Sequence, residues 1–382
     1  MHFGIDESKF AKTGYKPELR QNTAVVFMFY LHFTLFSCLL SVLAAPDQNV
    51  RHVVGMEATI STKPSNPLRR TLSKVERESI YQPDRGIAFS SVGPFNRLGA
   101  EIVKYKSGDG TDLHAYYVPP SVGKDDTVYA VLYFHGSNLN NSHFLTEAER
   151  WREKLGFFNG KRTAFFLPSY RGYGLSQGTP SEQGLYEDGK ASIAQFRDLL
   201  WRDKVTKYKM IVFGWSLGGA VAIDLLSKLD PDVTVDALIL EGTFTSMLDV
   251  AADTTLRVVK HAPWLFTERW DSIKKISKLP KDLPIIFISG DRDKSGKYSR
   301  RLCEAVDKVK HSKTFRAVIP CGDHLNTRQQ HEYLPVVSRF LEVVIGEKSF
   351  ETDDKVLPIS KNCGDVGKQD QAECNARNLQ QH

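Results

Sequence analysis

The residues best equipped for chemistry in this chain lie in Gly214-Trp215-Ser216-Leu217-Gly218-Gly219. A serine hydroxyl is a poor nucleophile until a neighbouring base takes its proton. The hexapeptide directly follows an apolar run, KMIVF, and opens a helical pattern, AVAIDLLSKL. That strand–turn–helix setting is what a nucleophile elbow requires. Gly214 and Gly218 lack side chains, so strand and helix can close tightly around Ser216. The first helix amides then face the point where a carbonyl oxygen would gain charge. A tight structural turn is the plain alternative, and the flanking strand and helix weigh against it.

An activated serine needs a base, and the base needs an orienting acid. In this setting the partners follow the serine in chain order, acid first and histidine last. Beyond Ser216 the histidines are His261, His311, His324 and His331. His324 lies in GDHLNT (322–327), just past the last expected strand, and is the expected base. His331 is the fallback; it reads as a solvated residue opening the last helix. The loop after LPIIFISG (283–290) offers two carboxylates, Asp291 and Asp293. Asp293 is favoured as the acid, and Asp291 reads as a turn carboxylate beside Arg292 or Lys294. An oxyanion hole needs two backbone N–H groups. Leu217 supplies one, and Ser137, in His135-Gly136-Ser137-Asn138, is expected to supply the other. His135 reads as an orienting residue rather than a catalytic one.

Elements that could position these residues are legible as pattern. Arg97 to Tyr105 and Asp112 to Val118 flank Ser107-Gly108-Asp109-Gly110, which predicts a β-hairpin. Apolar runs follow at 128–136, 162–170, 209–215, 237–242, 283–290 and 314–320. Helical patterns separate most of them: Glu182 to Trp201, Leu217 to Leu229, Tyr298 to Val309 and His331 to Val344. Buried strands alternating with amphipathic helices predict an α/β class fold, with a mostly parallel central sheet flanked by helices. The hydrolase-type domain is expected over 96–348, with a short cap at about 243–279. His261, Trp264, Leu265, Phe266 and Trp270 sit in that cap. They either line an acyl pocket or pack the cap onto the core. Residues 46–95 read as a linker and 349–382 as a polar disordered tail.

The N-terminal segment 24–45, AVVFMFYLHFTLFSCLLSVLAA, carries no Asp, Glu, Lys or Arg. As a helix it would span roughly 33 Å, enough to cross a bilayer core. The expectation is a transmembrane signal anchor after a cytosolic segment 1–23. Lys9, Lys12, Lys16 and Arg20 precede the run, which predicts a single-pass type II protein. Its main domain would face the lumen of the endoplasmic reticulum or another endomembrane. Secretion after signal cleavage is the alternative, with Val42 and Ala44 at the cleavage site.

The chain has 382 residues, 41% of them hydrophobic, with a formal net charge of +6. That is enough for one large α/β domain plus extensions. The surplus charge is spread out and lacks interleaved aromatics. No nucleic-acid partner is expected, and mild attraction to anionic lipid is the most it suggests. The five cysteines include no Cys-x-x-Cys pair, and no zinc motif appears. Neither metal nor cofactor is expected. A Cys363–Cys374 disulfide is an option in an oxidising compartment. Asn140-Asn141-Ser142 matches a glycosylation sequon and reads as a chance match. Oligomeric state is not readable.

Several strings together resemble the membrane-anchored α/β-hydrolase-domain serine hydrolases. That family has monoacylglycerol and lysophospholipid lipase-like members and is also labelled serine peptidase-like. The strings are YFHGSN (133–138), SYRGYGLSQGTPSEQGLYEDG (169–189), FGWSLGGAVAIDL (213–225), LEGTFTS (240–246), IIFISGDRD (285–293) and GDHLNT. The resemblance implies the α/β-hydrolase fold, a signal anchor, and Ser216, Asp293 and His324 as a triad. Arg171 would anchor a loop near the site. Two stretches depart from the family pattern. Lys294-Ser295-Gly296-Lys297 stands where an apolar Val-Pro pair is usual, and Ser137-Asn138-Leu139-Asn140 replaces Gly-Asn-x-Gly-Asn.

The resulting expectation is an esterase-type serine hydrolase acting on a membrane-borne acyl-ester lipid, a monoacylglycerol or lysophospholipid. A serine peptidase or thioesterase would use the same triad. A catalytically silent, anchored interaction protein is the rival of another class.

Overall fold

The computed structural model describes residues 67–86, 91–123, 126–138, 140–254, 266–346, 359–361 and 363. The chain divides into two compact units, 1–79 with 250–267 and 80–249 with 268–382. In the first unit, helix α1 (Pro67–Ile80) supplies Glu76. Its carboxylate accepts the Thr267 N–H at 3.0 Å and the Thr267 hydroxyl at 2.6 Å.

The second unit holds the sheet. Its strands are β1 (Glu101–Lys106), β2 (Asp112–Val118), β3 (Val128–Phe134), β4 (Arg162–Ser169) and β5 (Tyr208–Trp215). They continue with β6 (Ala237–Glu241), β7 (Ile285–Gly290), β8 (Thr314–Ile319) and β9 (Ile359–Lys361). The spatial order is β1-β2-β4-β3-β5-β6-β7-β8-β9. From β4 to β8 every neighbouring pair is parallel. The β1–β2 hairpin and the β2–β4 and β8–β9 pairs are antiparallel. This is the largely parallel sheet of the expected α/β-hydrolase fold.

Both sheet faces are covered, which is why the central strands read as unbroken apolar runs. Successive side chains alternate between faces. Val131, Tyr133, Ile211 and Phe213 join Phe144 and Trp151 of α3 (Phe144–Lys154) in one core. Val336, Phe340 and Leu341 of the last helix (Tyr333–Val344) complete it. On the opposite face, Phe196 of α4 (Glu182–Arg202) stacks on Phe166 of β4 at 5.4 Å. Because β3 and β5 to β8 run the same way, the loops leaving them emerge at one end of the sheet. Those loops carry His135, Ser216, Gly242, Asp293 and His324.

The structure departs from the expectation at several places. Arg97 does not open a strand. It lies in helix α2 (Val92–Leu98), which ends on Gly99 in the left-handed region at φ +61°, so β1 begins only at Glu101. Within 46–95, read as a linker, residues 67–80 are helical and the helix 92–98 begins. Within 349–382, Ile359–Lys361 extends the sheet beside β8.

Cys363 is bonded to Cys303, not to Cys374, which lies outside the described residues. Pairing follows from β9, which lays Cys363 against the helix bearing Cys303. Cys321 is also disulfide-bonded. The 303–363 bridge closes a loop with a sequence separation of 60. Cys363→Ser therefore lowers unfolding stability by about 2–5 kcal/mol. Urea titration of the oxidised protein checks this, and an unchanged midpoint would refute it.

The expected transmembrane helix is corrected. No helix among the described residues is long and apolar enough to cross a membrane. Residues 24–45 lie outside the described residues. The apolar runs that are described are short strands buried between helices. The anchor, the membrane partner and the single-pass lumenal placement that rested on 24–45 are withdrawn.

Candidate active site

Strand β5 runs straight into α5 (Leu217–Ser227), and Ser216 is the hinge between them. Its backbone sits at φ 53°, ψ −116°, a conformation costly for a residue with a side chain. The turn survives because its surroundings over-determine it. The Ser216 N–H donates to Glu241 O at 2.8 Å, and the Thr243 hydroxyl donates to Ser216 O at 2.9 Å. Glycines on either side are obligatory. A Cβ on Gly214 would lie 2.5 Å from Gly218 O, and one on Gly218 would overlap Phe134 O.

The structure brings together three of the expected residues from three loops. His324 Nε2 lies 3.1 Å from Ser216 Oγ, and His324 Nδ1 lies 3.0 Å from Asp293 Oδ2. An ionised carboxylate only accepts, so Nδ1 carries the hydrogen and Nε2 is free to accept the serine proton. The Asp293 side chain is 4% exposed, whereas His324 keeps 39% exposure and stays open to a reactant. Burial alone would lower the proton affinity of His324. The hydrogen bond and charge of Asp293 outweigh it and hold the imidazole above its ordinary value. Burial alone would raise Asp293. The His324 bond and charge, then two bonds from Ser295, hold it below the ordinary carboxylate value.

Asp291 lies off this line. Its N–H donates to Ile319 O, and its Oδ1 is buried without a hydrogen-bond partner. His331 is exposed, and His261 lies outside the described residues.

The loop after β3 abuts the nucleophile. A Cβ on Gly136 would lie 3.5 Å from Ser216 Cβ. Leu217 opens α5, so its N–H has no acceptor inside the helix. His135 is buried, and burial pushes its proton affinity down to about 3, so the ring is neutral. Its Nδ1 lies 2.7 Å from Gly136 O and donates to it. That bond holds the peptide whose N–H belongs to Ser137. Tyr170 and Tyr173 brace the same loop, donating to His135 O at 3.0 Å and to Ser137 O at 2.7 Å. Arg171, between them, is tied to Asp188 and Asp109. Asn140 is buried with its amide bonded to Gly86 O, which leaves no room for a glycan.

Sequence reasoning missed three contributors. Gly242, at φ +56°, lies beneath the triad-like group; a Cβ there would sit 3.0 Å from His324 Cε1 and 3.2 Å from Asp293 Oδ2. Glu241 is buried and pairs with Arg328, whose guanidinium lies 4.5 Å over the Trp215 ring. Ser295 bonds Asp293. The string LEGTFTS signalled the first two without saying what they touch. Trp270 packs against Tyr81 and Tyr186 and donates to the Tyr81 hydroxyl, so it belongs to the core. Trp264 and Leu265 lie outside the described residues. Among the described residues no cluster of His, Cys, Asp or Glu has metal-site geometry.

Residues 131–358 match the family model described as the Alpha/beta hydrolase family. Protein bem46 of Schizosaccharomyces pombe is 32% identical over 246 residues, 63% of this chain and 76% of that protein. The alpha/beta hydrolase domain-containing protein WAV2 of Arabidopsis thaliana is 30% identical over 242 residues, 59% of this chain and 73% of its own length. Among solved structures, an alpha-beta hydrolase from Vibrio vulnificus superposes with a TM-score of 0.56 at 20% identity. That superposition covers 73% of this chain and 95% of the other, a likeness of fold.

Proposed function

This chain belongs to the α/β-hydrolase family, and we propose that it is a serine hydrolase that cleaves carboxylic acyl esters through an acyl-enzyme. The observation that carries the reading is the continuous chain Ser216 Oγ–His324 Nε2 and His324 Nδ1–Asp293 Oδ2, at 3.1 Å and 3.0 Å. Ser216 Oγ attacks the acyl carbon while His324 Nε2 takes its proton. Asp293 accepts the hydrogen bond from Nδ1–H, stays ionised and stabilises the imidazolium. The Leu217 and Ser137 N–H groups hold the tetrahedral oxyanion. The intermediate collapses, and the departing alkoxide leaves as an alcohol with the proton from His324. Water, deprotonated by His324, then releases the carboxylic acid and restores Ser216. Single-chain acyl lipids are the favoured substrates, on the resemblance to monoacylglycerol and lysophospholipid lipase-like proteins.

The test is labelling of the purified protein with a fluorophosphonate probe, followed by turnover on a monoacylglycerol, a lysophospholipid, an acyl thioester and a peptide amide. Wild type labels and Ser216→Ala does not. Faster turnover of the thioester or amide would reassign the substrate. A folded wild type that never labels would overturn the hydrolase reading and favour a silent interaction protein.

A further inference from the structure

We propose that Ser295 is a positioning residue that pins the carboxylate of Asp293 in the orientation His324 requires. The inference rests on the triad reading above and deepens it. Helix α8 (Gly296–Lys308) begins directly after Ser295, whose carbonyl accepts the N–H groups of Tyr298 at 2.8 Å and Ser299 at 3.1 Å (α6 is Met247–Thr254 and α7 is Ser272–Lys275). The serine is thereby fixed to the helix start. From there it grips both oxygens of the acid. Its N–H donates to Asp293 Oδ1 at 2.7 Å, and its hydroxyl donates to Oδ2 at 2.7 Å.

A helix-opening turn needs only the first of these bonds. The second goes to the oxygen that His324 uses, 3.0 Å away on the other side. A carboxylate gripped at both oxygens cannot rotate about its last torsion. Oδ2 therefore stays aimed at Nδ1. Ser295 touches no reacting atom, so it acts through Asp293 alone.

The experiment compares wild type, Ser295→Ala, Ser295→Thr and Ser216→Ala on p-nitrophenyl butyrate across pH, with thermal melting to establish folding. Ser295→Ala is expected to lower kcat about tenfold with KM unchanged, the size of one charge-assisted hydrogen bond. Its acid limb moves down by about half a unit, because a carboxylate free to turn away from Nδ1 holds the proton on His324 less firmly. Ser295→Thr restores both. Wild-type kcat and limb in Ser295→Ala would overturn the proposal. So would a lower kcat with an unmoved limb and no rescue by threonine, which marks a structural turn only. Ser216→Ala separates the two readings: if it still turns over the ester, the triad reading itself fails, whatever Ser295→Ala does.

Discussion

Asp293→Asn lowers ester turnover by about 10⁴-fold, whereas Asp291→Asn stays within about threefold of wild type. The two residues are two positions apart but differently placed. Asp293 faces His324 Nδ1, and Asp291 has no such bond. An asparagine at 293 keeps the shape of the acid and removes its charge. It can present an N–H to Nδ1, which drives the ring hydrogen to Nε2, where the serine proton must go. It also gives up the stabilisation of the imidazolium as that charge forms.

The pH profile carries the same sign. The base works only when neutral, so activity rises with pH through the proton affinity of His324. In wild type that limb lies above the ordinary histidine value. Without the charge at 293, burial is left as the main influence and the limb moves down. Linkage adds a stability effect. A carboxylate held below its ordinary value stabilises the fold above that value and loses the contribution as pH falls through its folded value. The melting difference between wild type and Asp293→Asn therefore narrows at acid pH. Steady-state kinetics and melting curves from pH 3 to 9 check both effects. Equal kcat for Asp293→Asn and wild type would remove Asp293 from the mechanism.

Gly242→Ala is expected to lower turnover about 100-fold or more while the protein still folds. The backbone at 242 lies in the left-handed region at φ +56°, which costs alanine about 1–2 kcal/mol. The added methyl would also meet His324 Cε1 at 3.0 Å, Nδ1 at 3.1 Å and Asp293 Oδ2 at 3.2 Å. Those contacts are too tight to keep, and the atoms that must yield are the ones whose alignment the reaction needs. The imidazole is the freer of the two, being 39% exposed, so it moves first and carries Nε2 away from Ser216. Circular dichroism and a melting curve establish folding, and kcat reads the displacement. A folded Gly242→Ala protein with wild-type kcat would show that His324 has slack that this geometry denies.

Much of this architecture was determined by the sequence alone, because its signals are local. An apolar strand of six to eight residues, the glycines around Ser216 and the helix after them act on near neighbours. So do the positions of the acid and histidine loops, which need only the ends of strands β7 and β8. Tertiary structure decided what depends on distant groups meeting. Asp293 rather than Asp291 faces His324 because the residues of a turn point in different directions, and a contact across a sequence separation of 31 sets which one meets the ring. Ser216 and His324 are 108 residues apart and touch because parallel strands deliver their loops to one end of the sheet. Gly242, the Glu241–Arg328 pair and the tyrosines bracing Ser137 carry no local periodicity. The Cys303–Cys363 bond likewise required β9 to find the edge of β8, and no pattern in a short polar segment specifies that pairing. The apolar run at 24–45 lies outside the described residues, among which no helix is long and apolar enough to cross a membrane.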